Sequence, residues 1–449
     1  MRRFLRPTPS RHELHLLARS TQHAALFLAV FAALSCGTAQ TPATDSSPPI
    51  TSGTVRAAAP PPARPVERGV IPGIEVLLSD SLHLIRGQRV GLITNHSGRD
   101  RSGTSSIDLL HRAPGVKLTA IYGPEHGVRG VAAAGEKVAS AVDGETGIPV
   151  YSLYGETLTP TPGMLANIDV LVYDIQDVGT RAYTYEWTMA LAAEAAKKAG
   201  KRFIVLDRPN PIRADRIEGG MLDPRHKSFT GLHPVTLRYG LTPGELAHFL
   251  ARSGLIDADP IIVLMRNYRL SLWWDETGLE WRNPSPNIRD LDAALLYPGT
   301  VFFEATNVSE GRGTDAPFKL IGAAWLTDAG AIARELNALR LPGVRFDSTT
   351  RRIEAGAKFA GQTIPMIRLT VTDRDAVRPV DIGAHMLRAI YARHPRAFRW
   401  RDGSGIERLS GSRALRVAVE SGAIEPMLRQ WEVEAERFRE QVAPFRLYR

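Results

Sequence analysis

In the stretch AIYGPEHGVRG (residues 120–130), Glu125 and His126 stand side by side, framed by Gly123, Pro124 and Gly127. A carboxylate next to an imidazole on a glycine-flanked turn can move protons at a substrate, and a carboxylate paired with a second acid can cleave a glycosidic bond. Three more polar groups close other apolar runs: Asn95-His96 after RVGLIT, Asp174 to Asp177 in DVLVYDIQD, and Asp207 to Asn210 in RFIVLDRPN. The Asp177 segment continues as DVGTRAYTYEW. There Gly179 permits a tight turn, Arg181 can clamp a carboxylate, and Tyr183 and Tyr185 offer flat faces with hydroxyls. A later cluster, EATNVSEGRGTDAPFKLIG, gathers Asn307, Glu310, Arg312 and Thr314 around two glycines, and WRNPSPNIRD holds Asn287 beside prolines.

Any one of these clusters taken alone reads as a capped loop, and Tyr183 and Tyr185 read equally as packing in a first helical turn. Four polar strand ends together point to a site. Glu125, His126, Asp174 and Asp177 are possible hard metal ligands, but HExxH and any cysteine set are absent, and adjacent residues serve one ion poorly. No GxSxG elbow supports acyl transfer. Paired carboxylates remain: Glu125 with Asp177 or Glu310, His126 orienting one of them or binding substrate. Neither a metal nor a cofactor is expected.

These residues need strands to carry them. RVGLITN (89–95), KLTAIYG (117–123), DVLVYDIQD (169–177) and RFIVLDRPN (202–210) are continuous apolar runs, and helical patterns such as SSIDLLHRA and YEWTMALAAEAAKKAG lie between them. Alternation of that kind predicts a parallel sheet covered on both faces, and ligands of such sheets bind beyond the strands' carboxyl ends. GxGxxG does not open the first helix, so the dinucleotide-binding version of the fold is not expected. In the second half, TPGELAHFLARSG reads as a helix with a capping box from Thr242 to Glu245. Strands are expected at PIIVLM, TVFFEAT and MIRLTVTD, and helices at DIGAHMLRAIYARH, SGSRALRVAVESG and IEPMLRQWEVEAERFREQV. The expected division is a Rossmann-like α/β domain over residues 70–240 and a smaller mixed α/β domain over 241–449, with the cleft between them.

The 449 residues carry a formal net charge of +9. Residues 1–69 hold eight arginines against three acidic residues, leaving 48 basic and 44 acidic residues in the rest, and no aromatic-basic face stands out. Nucleic acid is therefore not an expected partner. The single cysteine, Cys36, follows AALFLAVFAALS and an arginine-bearing start. That is the pattern of an export signal over residues 1–36, too short to span a bilayer comfortably. ALSC resembles a lipoprotein processing site, with Leu34 where small residues are usual, so Cys36 is the expected lipidation site. Gly-Thr-Ala follows it and favours the outer membrane. Residues 37–69 are rich in Pro and Ala and read as a flexible tether. An exported, periplasmic or secreted protein results, touching a membrane only through its lipid.

The motifs GPEHGVRG, AGEKV, GIPVYSLYGET, DVLVYDIQDVGTRAYTY, LDRPNP, SPN, LYPGT and NVSEGRGT resemble the exo-β-N-acetylmuramidases of the NamZ type. The resemblance runs from about Gly73 to the final PFRLYR. It implies a glycoside hydrolase that removes N-acetylmuramic acid from the non-reducing end of peptidoglycan fragments, with a Rossmann-like domain joined to a smaller one. The family's polar motifs fall on Glu125, His126, Asp177, Arg181, Tyr183, Arg208, Asn210, Asn307, Glu310 and Arg312; Asn95, Tyr185 and Asn287 join them as substrate-binding candidates. Muramic acid carries a lactyl carboxylate, for which Arg181, Arg208 and Arg312 are the available clamps. The expected mechanism has Glu125 as general acid, with Glu310 or Asp177 as its partner. A carboxylate separation of about 5–5.5 Å would indicate retention and about 6.5–9.5 Å inversion, whereas attack by the substrate's own N-acetyl oxygen would follow neither rule. Two other readings stay open at this point: a muropeptide-binding lipoprotein without catalysis, and a metal-dependent hydrolase of another linkage.

Overall fold

Val90, Leu92, Leu118, Ile121, Val170, Val172, Ile204 and Leu206 are all buried. Strands made of such runs must be covered on both faces, and the chain meets that demand with one wide sheet. The computed structural model describes residues 69–449 apart from 130, 131, 133, 134, 138, 402 and 404, and the described residues form one compact unit. The expected signal peptide, Cys36 and most of the tether lie outside the described residues.

The first six strands are β1 (Arg89–Thr94), β2 (Lys117–Gly123), β3 (Ala141–Val142), β4 (Pro149–Ser152), β5 (Val170–Asp174) and β6 (Arg202–Leu206). A small hairpin pair, β7 (Glu218–Met221) and β8 (Thr236–Arg238), precedes β9 (Pro260–Val263). The large sheet has seven strands in the order β3-β4-β2-β1-β5-β6-β9, parallel except for the short β3. From β1 the chain winds outward through β2 and β4, then returns to the other side of β1 as β5, so the switch point lies between β1 and β5. Register levels the strand ends: Ile93 pairs with Tyr122 and Thr94 with Asp174. The four polar strand ends therefore emerge along one edge. Because β9 joins this sheet, the sheet runs past residue 240, where a boundary was expected.

β10 (Leu320–Gly322), β11 (Val344–Arg352) and β12 (Thr363–Val371) form a smaller antiparallel sheet in the order β10-β12-β11. The helices expected in this half form at Pro379–Arg393, Ala414–Ser421 and Ile424–Val442. Thr242 and Glu245 make the reciprocal capping box that starts the Pro243–Arg252 helix. TVFFEAT departs from expectation. The Leu291–Thr300 helix runs straight into a 3-10 turn at Val301–Ala305. Leu295, Leu296, Val301, Phe302 and Phe303 are all buried, so the run is apolar on every side and its periodicity cannot separate helix from strand.

Candidate active site

The Gly127 amide bonds the Pro124 carbonyl at 2.9 Å, and His126 and Gly127 take left-handed φ of 68° and 72°. This tight turn at the end of β2 lifts Glu125 out of the core, half-buried, while His126 folds back beneath it. The Nδ1 of His126 lies 2.6 Å from the Ala132 carbonyl. Both oxygens of Glu125 accept hydrogen bonds, one from the Gly135 amide at 2.8 Å and one from the Thr184 hydroxyl at 2.6 Å. The Tyr154 phenol stands beside it; burial, and then the Glu125 charge, pushes that phenol up to about 12. Glu125 is thus held by a donor at each carboxylate oxygen.

Thr184 reaches Glu125 because it immediately precedes the Tyr185–Lys198 helix. A row of rings continues from there. Tyr185 meets Tyr183 at 4.9 Å, Tyr183 meets Tyr297 at 5.9 Å, and Tyr297 meets Phe318 at 4.8 Å, each edge to face. Arg312 lies over Phe318 at 5.2 Å. The buried Tyr297 phenol is pushed far up by burial, then by Glu304, and feels Arg312 and Glu125 as well. One aromatic wall thus joins Glu125, from the large sheet, to the polar loop of the second half.

In that loop Arg312 bridges two acids, Glu304 at 2.6 Å and Glu310 at 3.1 Å. Glu310 is buried, and its other oxygen takes Lys358 at 2.9 Å. Lys358 is itself fixed by the Phe303 and Val308 carbonyls, both at 2.8 Å. Glu310 is thereby committed to two cations. Glu304 keeps 29% of its side chain exposed, and burial of the remainder raises its pKa against the opposing pull of Arg312.

Other expected site residues face inward. Asp177 is buried, with one oxygen held by the Gly179 amide at 2.6 Å and by the Tyr239 hydroxyl. Its other oxygen and both oxygens of buried Glu186 receive no donor among the described residues, and the two carboxyl groups interact directly. Two acids facing each other this way share a proton, and burial raises both. Arg181 is wholly buried, and its guanidinium bonds the Gly220, Val235 and Leu409 carbonyls; with no acid bonded to it, burial lowers its pKa to about 9. Arg208 grips Asp174 at 2.6 and 2.9 Å and spends a further donor on the Arg99 carbonyl. Asn210 closes its own turn onto the Ile212 amide and the Leu241 carbonyl, and a Cβ on Gly179 (φ 75°) would come within 2.5 Å of it. Asn307 ties down Ala397 and Arg399.

Of the three arginines considered for a carboxylate, only Arg312 belongs to the Glu125 wall. Asn95 supports the wall from β1: its carbonyl oxygen holds Ser97, and its side chain lies beside the Tyr185 phenol. The Tyr185 hydroxyl bonds the Pro284 carbonyl at 2.8 Å, which seats the 283–287 loop, and Asn287 is half-buried there. Four contributors were missed in the sequence: Tyr154, Thr184, Tyr297 and Glu304. Their motifs were visible, but nothing local says which polar residue of a loop turns outward. Among the described residues no group of three or more His, Cys, Asp or Glu could hold a metal ion, and no helix is long and apolar enough to cross a membrane.

Sequence-family profiles match two adjoining blocks: the N-terminal part of exo-beta-N-acetylmuramidase NamZ over residues 90–292 and its C-terminal part over 295–448. The peptidoglycan beta-N-acetylmuramidase NamZ of Bacillus subtilis (strain 168) is 43% identical over 377 residues, spanning 84% of this chain and 91% of that protein. Two crystal structures of DUF1343 family proteins from Bacteroides fragilis superpose with TM-scores of 0.79 and 0.67. They are 35% and 26% identical, each match covering 85% of this chain and 100% and 99% of theirs. Fold, site and profiles together define a two-part α/β glycoside hydrolase. The chain belongs to the NamZ family of exo-β-N-acetylmuramidases.

Proposed function

We propose that this protein releases N-acetylmuramic acid from the non-reducing end of peptidoglycan fragments, with Glu125 as its central carboxylate. The observation that carries the reading is the continuous wall from Glu125 through Tyr185, Tyr183 and Tyr297 to Arg312. Tyr183, Tyr185, Tyr297 and Phe318 are all buried, so the rings serve as the scaffold that fixes the two charged ends rather than as a sugar platform; a carboxylate at one end can act on a glycosidic bond, and an arginine at the other can hold a carboxylate. Family membership supports the same substrate. Incubation with a muramyl disaccharide should liberate free muramic acid, and Glu125→Gln should remove at least 100-fold of that rate with an unchanged melting temperature. Turnover by that variant at the wild-type rate would take Glu125 out of the chemistry.

We infer further that the enzyme is exported and lipid-anchored at Cys36, acting in the periplasm on wall fragments within reach of its Pro/Ala-rich tether.

A further inference from the structure

Thr184 stands immediately before the Tyr185–Lys198 helix, where a threonine hydroxyl ordinarily accepts a bond from one of the helix's free amides. It accepts none there. The hydroxyl donates to Glu125 at 2.6 Å instead. It sits on a branched Cβ, so this direction is one rotamer of a stiff side chain. The turn that carries it is fixed as well. The Arg181 amide bonds the Leu237 carbonyl at 2.8 Å, the Tyr183 amide bonds the Thr180 carbonyl at 2.9 Å, and the Trp187 indole bonds the Arg181 carbonyl at 2.8 Å. The buried Arg181 guanidinium adds the Gly220, Val235 and Leu409 carbonyls, drawn from both halves of the chain. A threonine that forgoes its helix cap, on a turn locked from several sides, keeps its hydroxyl for the carboxylate.

We propose that Thr184 is a positioning residue for the hydrolysis, aiming the Glu125 carboxylate and favouring its charged form, a role that rests on the muramidase reading above. The Gly135 amide holds one carboxylate oxygen and Thr184 the other, so two donors on separate segments set the plane of the group. A donor to a carboxylate favours the ion over the acid. Losing the hydroxyl must therefore raise the pH at which Glu125 titrates, whichever form the chemistry uses. Among the described residues, the phenols of Tyr154, Tyr185 and Tyr297 are set against Glu125, and its own loop carries His126, Glu136 and Lys137. Burial pushes all three phenols up, so none of them titrates near neutrality. The loop charges are common to every variant of Thr184.

The test compares Thr184→Val, Thr184→Ser and wild type on a muramyl disaccharide across a range of pH, with Thr184→Val made in a Glu125→Gln background as well. Valine keeps the shape and loses the donor, whereas serine keeps the donor. Thr184→Val should lower kcat about 10- to 100-fold with KM within about threefold of wild type, and one limb of its pH profile should move up by about one unit. Thr184→Ser should return kcat to within about threefold of wild type, with the limb back in place. Once Glu125 is an amide, Thr184→Val should cost less than about twofold more, because it acts through that carboxylate. No cap bond of the helix is lost, so the melting temperatures should match. A wild-type kcat for Thr184→Val, an equal loss in Thr184→Ser, or an undiminished loss in the Glu125→Gln background would overturn the assignment. Wild-type protein that releases no muramic acid would instead remove the muramidase reading, and the role with it.

Discussion

Asp207, at the end of β6, is wholly buried and accepts hydrogen bonds from the Gly244 amide at 2.7 Å, the Thr242 hydroxyl at 2.7 Å, the Tyr448 hydroxyl at 2.6 Å and the Arg208 amide at 2.9 Å. It therefore ties the end of β6, the cap of the Pro243–Arg252 helix and Tyr448 near the end of the chain into one knot. Burial outweighs these donors and raises the carboxyl from 3.8 to about 7. A folded pKa above the unfolded one contributes stability that is fully present below pH 3.8 and is lost as pH rises through 7. Each unit is worth about 1.4 kcal/mol, and two of the roughly three units lie above pH 5. Through this group alone the wild-type protein should thus lose about 3 kcal/mol between pH 5 and pH 8. Asp207→Asn keeps an acceptor oxygen for the knot but cannot ionise. Urea melts of both proteins at pH 5 and pH 8 isolate the effect, because every other titrating group is common to them. The variant should lose about 3 kcal/mol less than wild type over that interval, with unchanged m-values. Identical losses in the two proteins would show that the donors hold Asp207 ionised and that burial does not dominate.

The buried Glu186–Asp177 pair needs one proton, which an amide can replace. Glu186→Gln should melt within about 1 kcal/mol of wild type at pH 7 and be the more stable of the two as pH rises, since the raised Glu186 pKa makes wild-type stability fall with pH; equal pH dependence in denaturation curves would refute a shared proton. If Cys36 carries the anchor, Cys36→Ala should move the protein from the membrane fraction to the soluble fraction on detergent-free fractionation of the native host, and an unchanged distribution would refute lipidation there.

The sheet was legible because its strands are continuous apolar runs bounded by polar residues, a pattern that local sequence carries in full. The direction of side chains at the strand ends was not. Asp177 and Glu125 follow equally apolar strands, yet one is driven inward by Tyr239 and Glu186 and the other outward by the turn at His126 and Gly127. Those partners lie 62 and nine residues from Asp177 in one case and next door in the other, and only the adjacent ones can be read from the chain. Arg181 and Arg208 show the same limit. An arginine in a motif announces a planar donor, but whether it meets a substrate or three backbone carbonyls depends on segments as remote as Leu409.

Where the site sits on this sheet also follows from packing. In open parallel sheets the crevice at the switch point is the usual ligand position. Here that point, between β1 and β5, is occupied by the protein itself: Arg208 and Ser106 close on Asp174, and Gln176 bonds the Asp177 and Pro209 carbonyls. The space left there, lined by Ser97, Gln176 and Arg208, is about 30 Å³, room for a water or two and far too small for a nucleotide. The half-buried carboxylate Glu125 is displaced one strand along, to the end of β2. There the neighbouring wall is Tyr183 and Tyr185 from the loop and helix after β5, and Tyr297 and Phe318 from the second half of the chain. Filling the switch point with these bonded side chains leaves the usual crevice closed. It also makes the second half indispensable, because the rings and charges that complete the site come from there.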